Sequence, residues 1–240
     1  MRKVTILALA MANLCITLSC AQKRIKGSGN VVTIERTTTD YDGISVSGFY
    51  DVVLVEGREG ELTLKGEDNL LDNIETEVRN GTLHIKSIQN INLVPSRGEG
   101  VFITIPVDEI EMIRLSGSGN FATKKTLGSN DLDIQVSGSR NIDLTVDVNE
   151  ISIATSGSSN IALKGHGEEL KVRSSGSSNV RAYELQVDEA TFELSGSSDV
   201  ETTVNQSLTS RVSGSGTVHY RGNPSKLDSK ISGSGSVSKG

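Results

Sequence analysis

Apolar and polar residues alternate along most of this chain with a period of two. Ile142-Asp143-Leu144-Thr145-Val146, Ile151-Ser152-Ile153, Leu170-Lys171-Val172 and Phe192-Glu193-Leu194 each put every second side chain on one face. That is the pattern of a strand buried on one side. The second half of the chain has no stretch with a period near 3.6, so the reading predicts no helix there.

The alternation itself repeats. Ser-Gly-Ser begins at Ser116, Ser137, Ser156, Ser175, Ser195, Ser213 and Ser232, in steps of 21, 19, 19, 20, 18 and 19 residues. Two positions after the second serine stands Asn120, Asn141, Asn160, Asn179, Asp199, Thr217 or Ser236. A unit of about 19 residues cannot close a core by itself, whereas stacked units bury one another's apolar faces. The expectation is an all-β fold: a right-handed parallel β-helix, a solenoid whose coils lie about 4.8 Å apart. Glycine allows a sharp bend and close approach between coils. Asn and Asp favour turns, and in register Asn120, Asn141, Asn160, Asn179 and Asp199 form a structural ladder of side chains bonded coil to coil. A phosphate-cradling loop is the rival reading of these glycines, but no Lys-Ser/Thr and helix follow them.

Residues 23–110 are also β-rich but lack the strict repeat, and they read as the N-terminal cap region of the solenoid formed by 111–238. Alternating runs occur at Val31–Glu35, Ile44–Val46, Val52–Val55, Leu62–Leu64, Ile91–Val94 and Val101–Val107. Between residues 75 and 85, Asn80-Gly81 marks a two-residue type I′ hairpin. Residues 23–238 thus read as one continuous domain.

Residues 1–20 read as an export signal: Arg2 and Lys3, an apolar run from Val4 to Leu18, then Ser19-Cys20-Ala21. Thr17-Leu18-Ser19-Cys20 resembles a lipobox, which makes Cys20 the lipidation candidate, although Thr17 stands where an aliphatic residue is usual. Ordinary cleavage before Gln22 is the other route. Either places the mature chain in the bacterial cell envelope, periplasm or outer membrane, and touching membrane only through the lipid. The 240 residues carry 24 basic and 30 acidic side chains, a net charge of −6. Losing Arg2 and Lys3 makes the balance more acidic, which argues against a nucleic-acid partner. With Cys15 inside the signal, the body has no disulfide or cysteine metal site.

Candidate chemistry is sparse. His84, His166 and His219 stand apart in sequence, without ligand spacing. Asp131, Glu150, Glu168 with Glu169, and Asp188 with Glu189 recur in successive polar links and could stack as an acidic column. Such a column is a solvated face, a weak cation site, or a carboxylate pair able to act on a polysaccharide. The many serines have no histidine and acid converging on one of them. Phe49-Tyr50 is the sole adjacent aromatic pair, either a surface contact or cap packing.

The Ser-Gly-Ser-Gly/Ser-Asn repeats after a β-rich first half resemble the head GIN domain family, whose members carry the label autotransporter adhesin. The resemblance spans about residues 25–238. It implies a β-helical, secreted or envelope-attached protein, with no catalytic residues or cofactors to carry over. The expected function is non-enzymatic surface binding or structure, with a surface glycan or envelope protein as partner. The alternatives are a carbohydrate-active β-helix enzyme and a periplasmic scaffold. The last coil, Lys230–Val237, leaves a strand edge open and predicts a weak homo-oligomer through that coil.

Overall fold

The computed structural model describes residues 22–240. The predicted export signal and Cys20 therefore lie outside the described residues. The first half of the chain supplies nine strands and one helical turn. In order these are β1 (Lys23–Lys26), β2 (Val31–Thr37), β3 (Gly43–Gly48), β4 (Asp51–Glu56), β5 (Glu61–Glu67), α1 (Asp68–Leu71), β6 (Ile74–Arg79), β7 (Thr82–Ser87), β8 (Ile91–Val94) and β9 (Phe102–Val107). The repeats form β10 (Met112–Gly157), β11 (Asn160–Gly176), β12 (Asn179–Gly196), β13 (Asp199–Gly214), β14 (Thr217–Arg221), β15 (Lys226–Gly233) and β16 (Ser236–Lys239). β10 to β13 bend around corners while keeping their backbone hydrogen bonds to the coils on either side.

The coils stack in parallel. β10 pairs with β11, β11 with β12, and β12 with β13, with Ser156, Ser175, Ser195, Ser213 and Ser232 in one column. The result is a β-solenoid of about five turns. The inner face of every coil is apolar. Leu144, Leu163, Val172, Phe192 and Leu208 are all buried in one continuous core, each contributing on the order of 1.5–3 kcal/mol by leaving water.

Stacking does not begin at residue 111. β3 lies under β10, with Ser47 opposite Ser116 and Gly48 opposite Gly117. β4 lies under residues 121–123, and β7 and β9 continue the two faces as parallel neighbours of β3 and β4. Ser47-Gly48-Phe49-Tyr50-Asp51 is thus a divergent copy of the repeated corner. Tyr50 is buried in it, and the Phe49 and Tyr50 rings pack at 5.2 Å between centroids. The antiparallel strands then cover this end: β2 on β5, β5 on β9 and β6 on β7. The β6–β7 turn has Asn80 at φ 50° and Gly81 at φ 73°, the paired positive angles of the predicted type I′ hairpin.

The Ser-Gly-Ser corner has a steric reason for its glycine. Gly138 has φ 109°, and a Cβ there would lie 2.3 Å from the Gly117 carbonyl oxygen of the coil beneath. The same clash repeats up the column at Gly157, Gly176, Gly196, Gly214 and Gly233. At the far end, Leu227 and Ile231 stack on Leu208 and Val212 but remain 50% and 42% exposed.

Candidate functional site

An open groove of about 910 Å³ runs along the outside of the strands that lead into the corners. Alternation builds it. The residue just before each corner serine points inward, and its two neighbours point out. One outward column is serine: Ser116, Ser137, Ser156, Ser175, Ser195 and Ser213. The other is Ser45, Arg114, Gln135, Ala154, Arg173, Glu193 and Arg211. Ala154 is in register with Arg173, Arg173 with Glu193, and Glu193 with Arg211. The small side chain at Ala154 deepens the middle of the groove.

The charges here differ from those of the whole chain. Three guanidiniums and one carboxylate line the groove. Arg173 Nε donates to Glu193 Oε2 at 2.9 Å. Arg211 Nη2 donates to Asp228 just outside the lining, a bond that raises the Arg211 pKa and lowers that of Asp228. Arg114 is exposed and forms no ion pair among the described residues. The backbone under the groove is committed to the coil-to-coil ladder, so side chains alone face the opening.

Hydroxyls lie directly beneath its centre. Thr155 and Ser174 point inward where other coils have Val136 or Leu194. Thr155 Oγ1 lies 2.8 Å from Ser174 Oγ and donates to Ser178 Oγ at 2.9 Å, and Ser174 Oγ lies 2.7 Å from Ser198 Oγ.

Around the corner is a shallower cleft, of about 410 Å³, along the amide column. Asn120 Nδ2 donates to Asp51 Oδ1 at 2.9 Å, Asn141 Nδ2 to Asn120 Oδ1 at 3.1 Å, and Asn160 Nδ2 to Asn141 Oδ1 at 3.0 Å. Asn179 and Asp199 continue the column in register. Their backbone N–H groups donate to the carbonyls of Ser159 at 2.8 Å and Ser178 at 2.9 Å. Asp199 in turn accepts from the hydroxyl and N–H of Thr217. This column is exposed on its outer side.

The acidic links stack in part, through Glu150, Glu169 and Glu189. Glu150 is in register with Glu169, and Glu169 with Glu189; Glu168 and Asp188 each stand one residue earlier than those partners. Lys171 Nζ reaches both Glu150 and Glu169 at 2.9 Å, and these bonds raise its pKa. Asp131 is exposed, and its Oδ2 accepts from Asn130 Nδ2 at 3.0 Å. Among the described residues no group of three or more His, Cys, Asp or Glu side chains is placed to hold a metal ion. Of the histidines, His219 Nδ1 lies 2.9 Å from Ser238 Oγ, and His166 stacks between Asp147 and Gln186.

One buried charge escapes sequence reading. Arg140 is 1% exposed, in the inward column that other coils fill with Ser159, Ser178 and Ser198. Its side chain reaches back past Gly119. Nη1 donates to the Tyr50 carbonyl at 2.9 Å, and Nη2 to the carbonyls of Gly48 and Ser116, both at 2.8 Å. Burial lowers its pKa, while burial pushes that of the Tyr50 hydroxyl up to about 12.

Residues 40–224 match the family described as "Putative auto-transporter adhesin, head GIN domain". No match was found among curated proteins. Among solved structures, a "putative adhesin" from Bacteroides fragilis is 20% identical, with a TM-score of 0.78, over 90% of this chain and 99% of that one. A "putative lipid binding protein" from Parabacteroides distasonis is 26% identical, with a TM-score of 0.74, over 91% of this chain and 100% of that one. A "putative adhesin" from the same species is 20% identical, with a TM-score of 0.67, over 91% of this chain and 100% of that one.

Proposed function

The chain belongs to the head GIN domain family, and on that premise we propose that it is a non-enzymatic binding module of the bacterial cell envelope, adhesin-like in role. The observation that carries this reading is the long groove, whose outward side chains come from successive coils and offer hydroxyls, guanidiniums and amides over an extended length. Repeated, shallow, open surfaces suit recognition of long partners better than turnover of small ones. Export, with Cys20 as the anchored N-terminus, fits the apolar run at Val4–Leu18. The ligand is a surface glycan or an envelope protein. A lipid ligand, the class named for the Parabacteroides distasonis relative, would want an apolar slot. Val46, Leu115, Val136 and Leu194 also line the groove but are buried, which leaves Ala154 as the one apolar side chain in the two outward columns.

Localisation by surface protease, with mass spectrometry of the mature N-terminus, tests the placement. Accessible protein with a lipid on Cys20 is expected. An unmodified chain starting at Gln22 would reject the lipid, and protection in intact cells would favour the periplasmic scaffold. Turnover of an acidic polysaccharide, lost on changing Glu168 and Asp188, would return the protein to the carbohydrate-active enzymes. Exposed Leu227 and Ile231 support a weak self-association through their coil. Sedimentation across concentration, repeated with Ile231→Lys, checks it: a monomer throughout would remove the idea.

A further inference from the structure

Resting on that binding-module reading, we infer that the groove takes an acidic polysaccharide laid along the solenoid axis. The chain as a whole carries −6, yet the groove holds Arg114, Arg173 and Arg211 against Glu193 in its lining and Asp228 at its edge. This local reversal selects an anionic ligand.

Four further observations narrow the class. First, the groove lies on a sheet face whose N–H and C=O groups are paired coil to coil. An extended peptide therefore cannot add as a strand, the mode that gives such peptides their affinity. Second, no aromatic side chain lines it. Neither stacked nucleic-acid bases nor a neutral sugar seated on a ring finds its platform there. Third, the serine column repeats one hydroxyl per coil, about every 4.8 Å. A polymer that itself repeats hydroxyls along its length can exchange hydrogen bonds with such a column at every coil. Fourth, the arginines are sparse. Arg173 lies three coils from Arg114 and two from Arg211, which is roughly 14 Å and 10 Å at that spacing. Duplex DNA presents a charge about every 1.7 Å, far denser than these cations can match. A glycan with one carboxylate per disaccharide fits them better.

The arginines would bear unequally on such a chain. Arg114 is unpaired and exposed, so its five N–H donors are free for carboxylate. Arg173 gives only Nε to Glu193 and keeps its two Nη groups. Arg211 is held by Asp228 and contributes least.

Affinity electrophoresis of the full chain in mild detergent tests this, with hyaluronate in the gel and neutral dextran as the comparison. Hyaluronate should retard the protein, dextran should not, and the retardation should fall as salt rises. Arg114→Ala with Arg173→Ala should weaken binding about tenfold at an unchanged melting temperature. Arg58→Ala, in the N-terminal part, should leave it alone. Glu193→Gln removes the one carboxylate of the lining and should tighten binding, which a purely structural role would not produce. No retardation by hyaluronate, or equal binding by the double arginine variant, overturns the proposal. Binding of dextran or of phosphatidylglycerol vesicles in place of hyaluronate also overturns it, yet leaves the binding-module reading standing. Shortening of the hyaluronate would overturn that reading itself.

Discussion

Arg140 Nη1 donates to the carbonyl oxygen of Tyr50 at 2.9 Å, across 90 residues of sequence. With its bonds to Gly48 and Ser116, this one side chain ties three successive layers: the divergent corner, the first Ser-Gly-Ser corner and its own coil. A buried cation pays a desolvation cost, and here three carbonyl dipoles, with the Asp51 carboxylate acting at longer range, offset it.

Arg140→Ser would install the residue that the next coils use at this position. It would also leave three carbonyls without their donor and a void above Gly119. The expected loss is about 2–4 kcal/mol, read by urea denaturation. An unchanged midpoint would mean that relief from burying the charge matches the bonds lost.

Glycine substitutions should separate sharply by position. Gly138→Ala forces a Cβ to within 2.3 Å of a carbonyl oxygen at φ 109° and should cost about 3 kcal/mol or more. Gly128→Ala meets nothing nearer than 3.9 Å and should change stability by about 0.5 kcal/mol or less. Thermal melts of the two variants side by side decide it. Similar melting temperatures would sink the steric account of the corner.

Asn160→Leu removes the donor to Asn141. Because the column is exposed on one side, water can replace part of the bond, and the cost should be about 1 kcal/mol. A double-mutant cycle with Asn141→Leu should show the two residues coupled, and strict additivity would dismiss the ladder as a contributor.

The N-terminal region should be sensitive to acid. Glu67 is buried and accepts from Ser96 Oγ at 2.7 Å, Ser96 N at 2.8 Å and Gly29 N at 2.6 Å. The Ser96 bonds, foremost, hold its pKa below the usual carboxylate value although burial opposes them. Asp68 is lowered too, chiefly by the Ser28 hydroxyl. A pKa lower in the folded state gives stability that is present above the unfolded carboxylate value, about 4, and lost as pH falls through the folded value. Melting temperature should therefore drop on acidification, and Glu67→Gln should flatten part of that slope.

Much of the fold was legible because two periods coincide in the sequence. Alternation set the inward face, and the recurrence of Ser-Gly-Ser set which residues stack. Asn141, Asn160 and Asn179 fell into register from spacing alone. The acidic links were harder to read, since they absorb the changes in coil length. Between Ala162 and Lys164 the register with β12 shifts by one residue, so the partner of Glu169 stands 20 residues on rather than 19. Glu189 rather than Asp188 follows Glu169 for that reason, whereas Glu169 follows Glu150 at the plain 19-residue spacing. Arg140 was hidden by its company: in a column of Ser and Gly, a polar residue at a turn reads as exposed, and only the stacked geometry shows it pointing inward. The corner at Ser47-Gly48 was missed because Phe49, Tyr50 and Asp51 replace the Ser, Ser and Asn of the repeat.

Since Asn160 and Asn179 occupy the same place in consecutive coils, the 19 residues from 160 to 178 form an interchangeable cassette. Cutting them out would set Asn179 on Asn141 and Gly196 on Gly157, joining like to like. Gene duplication or loss at this boundary could thus lengthen or shorten the molecule in steps of about 4.8 Å. Each step would add or remove one serine and one neighbouring side chain at the surface. The reach of the protein is in this sense a count of cassettes, which evolution or an engineer can reset without redesigning the core.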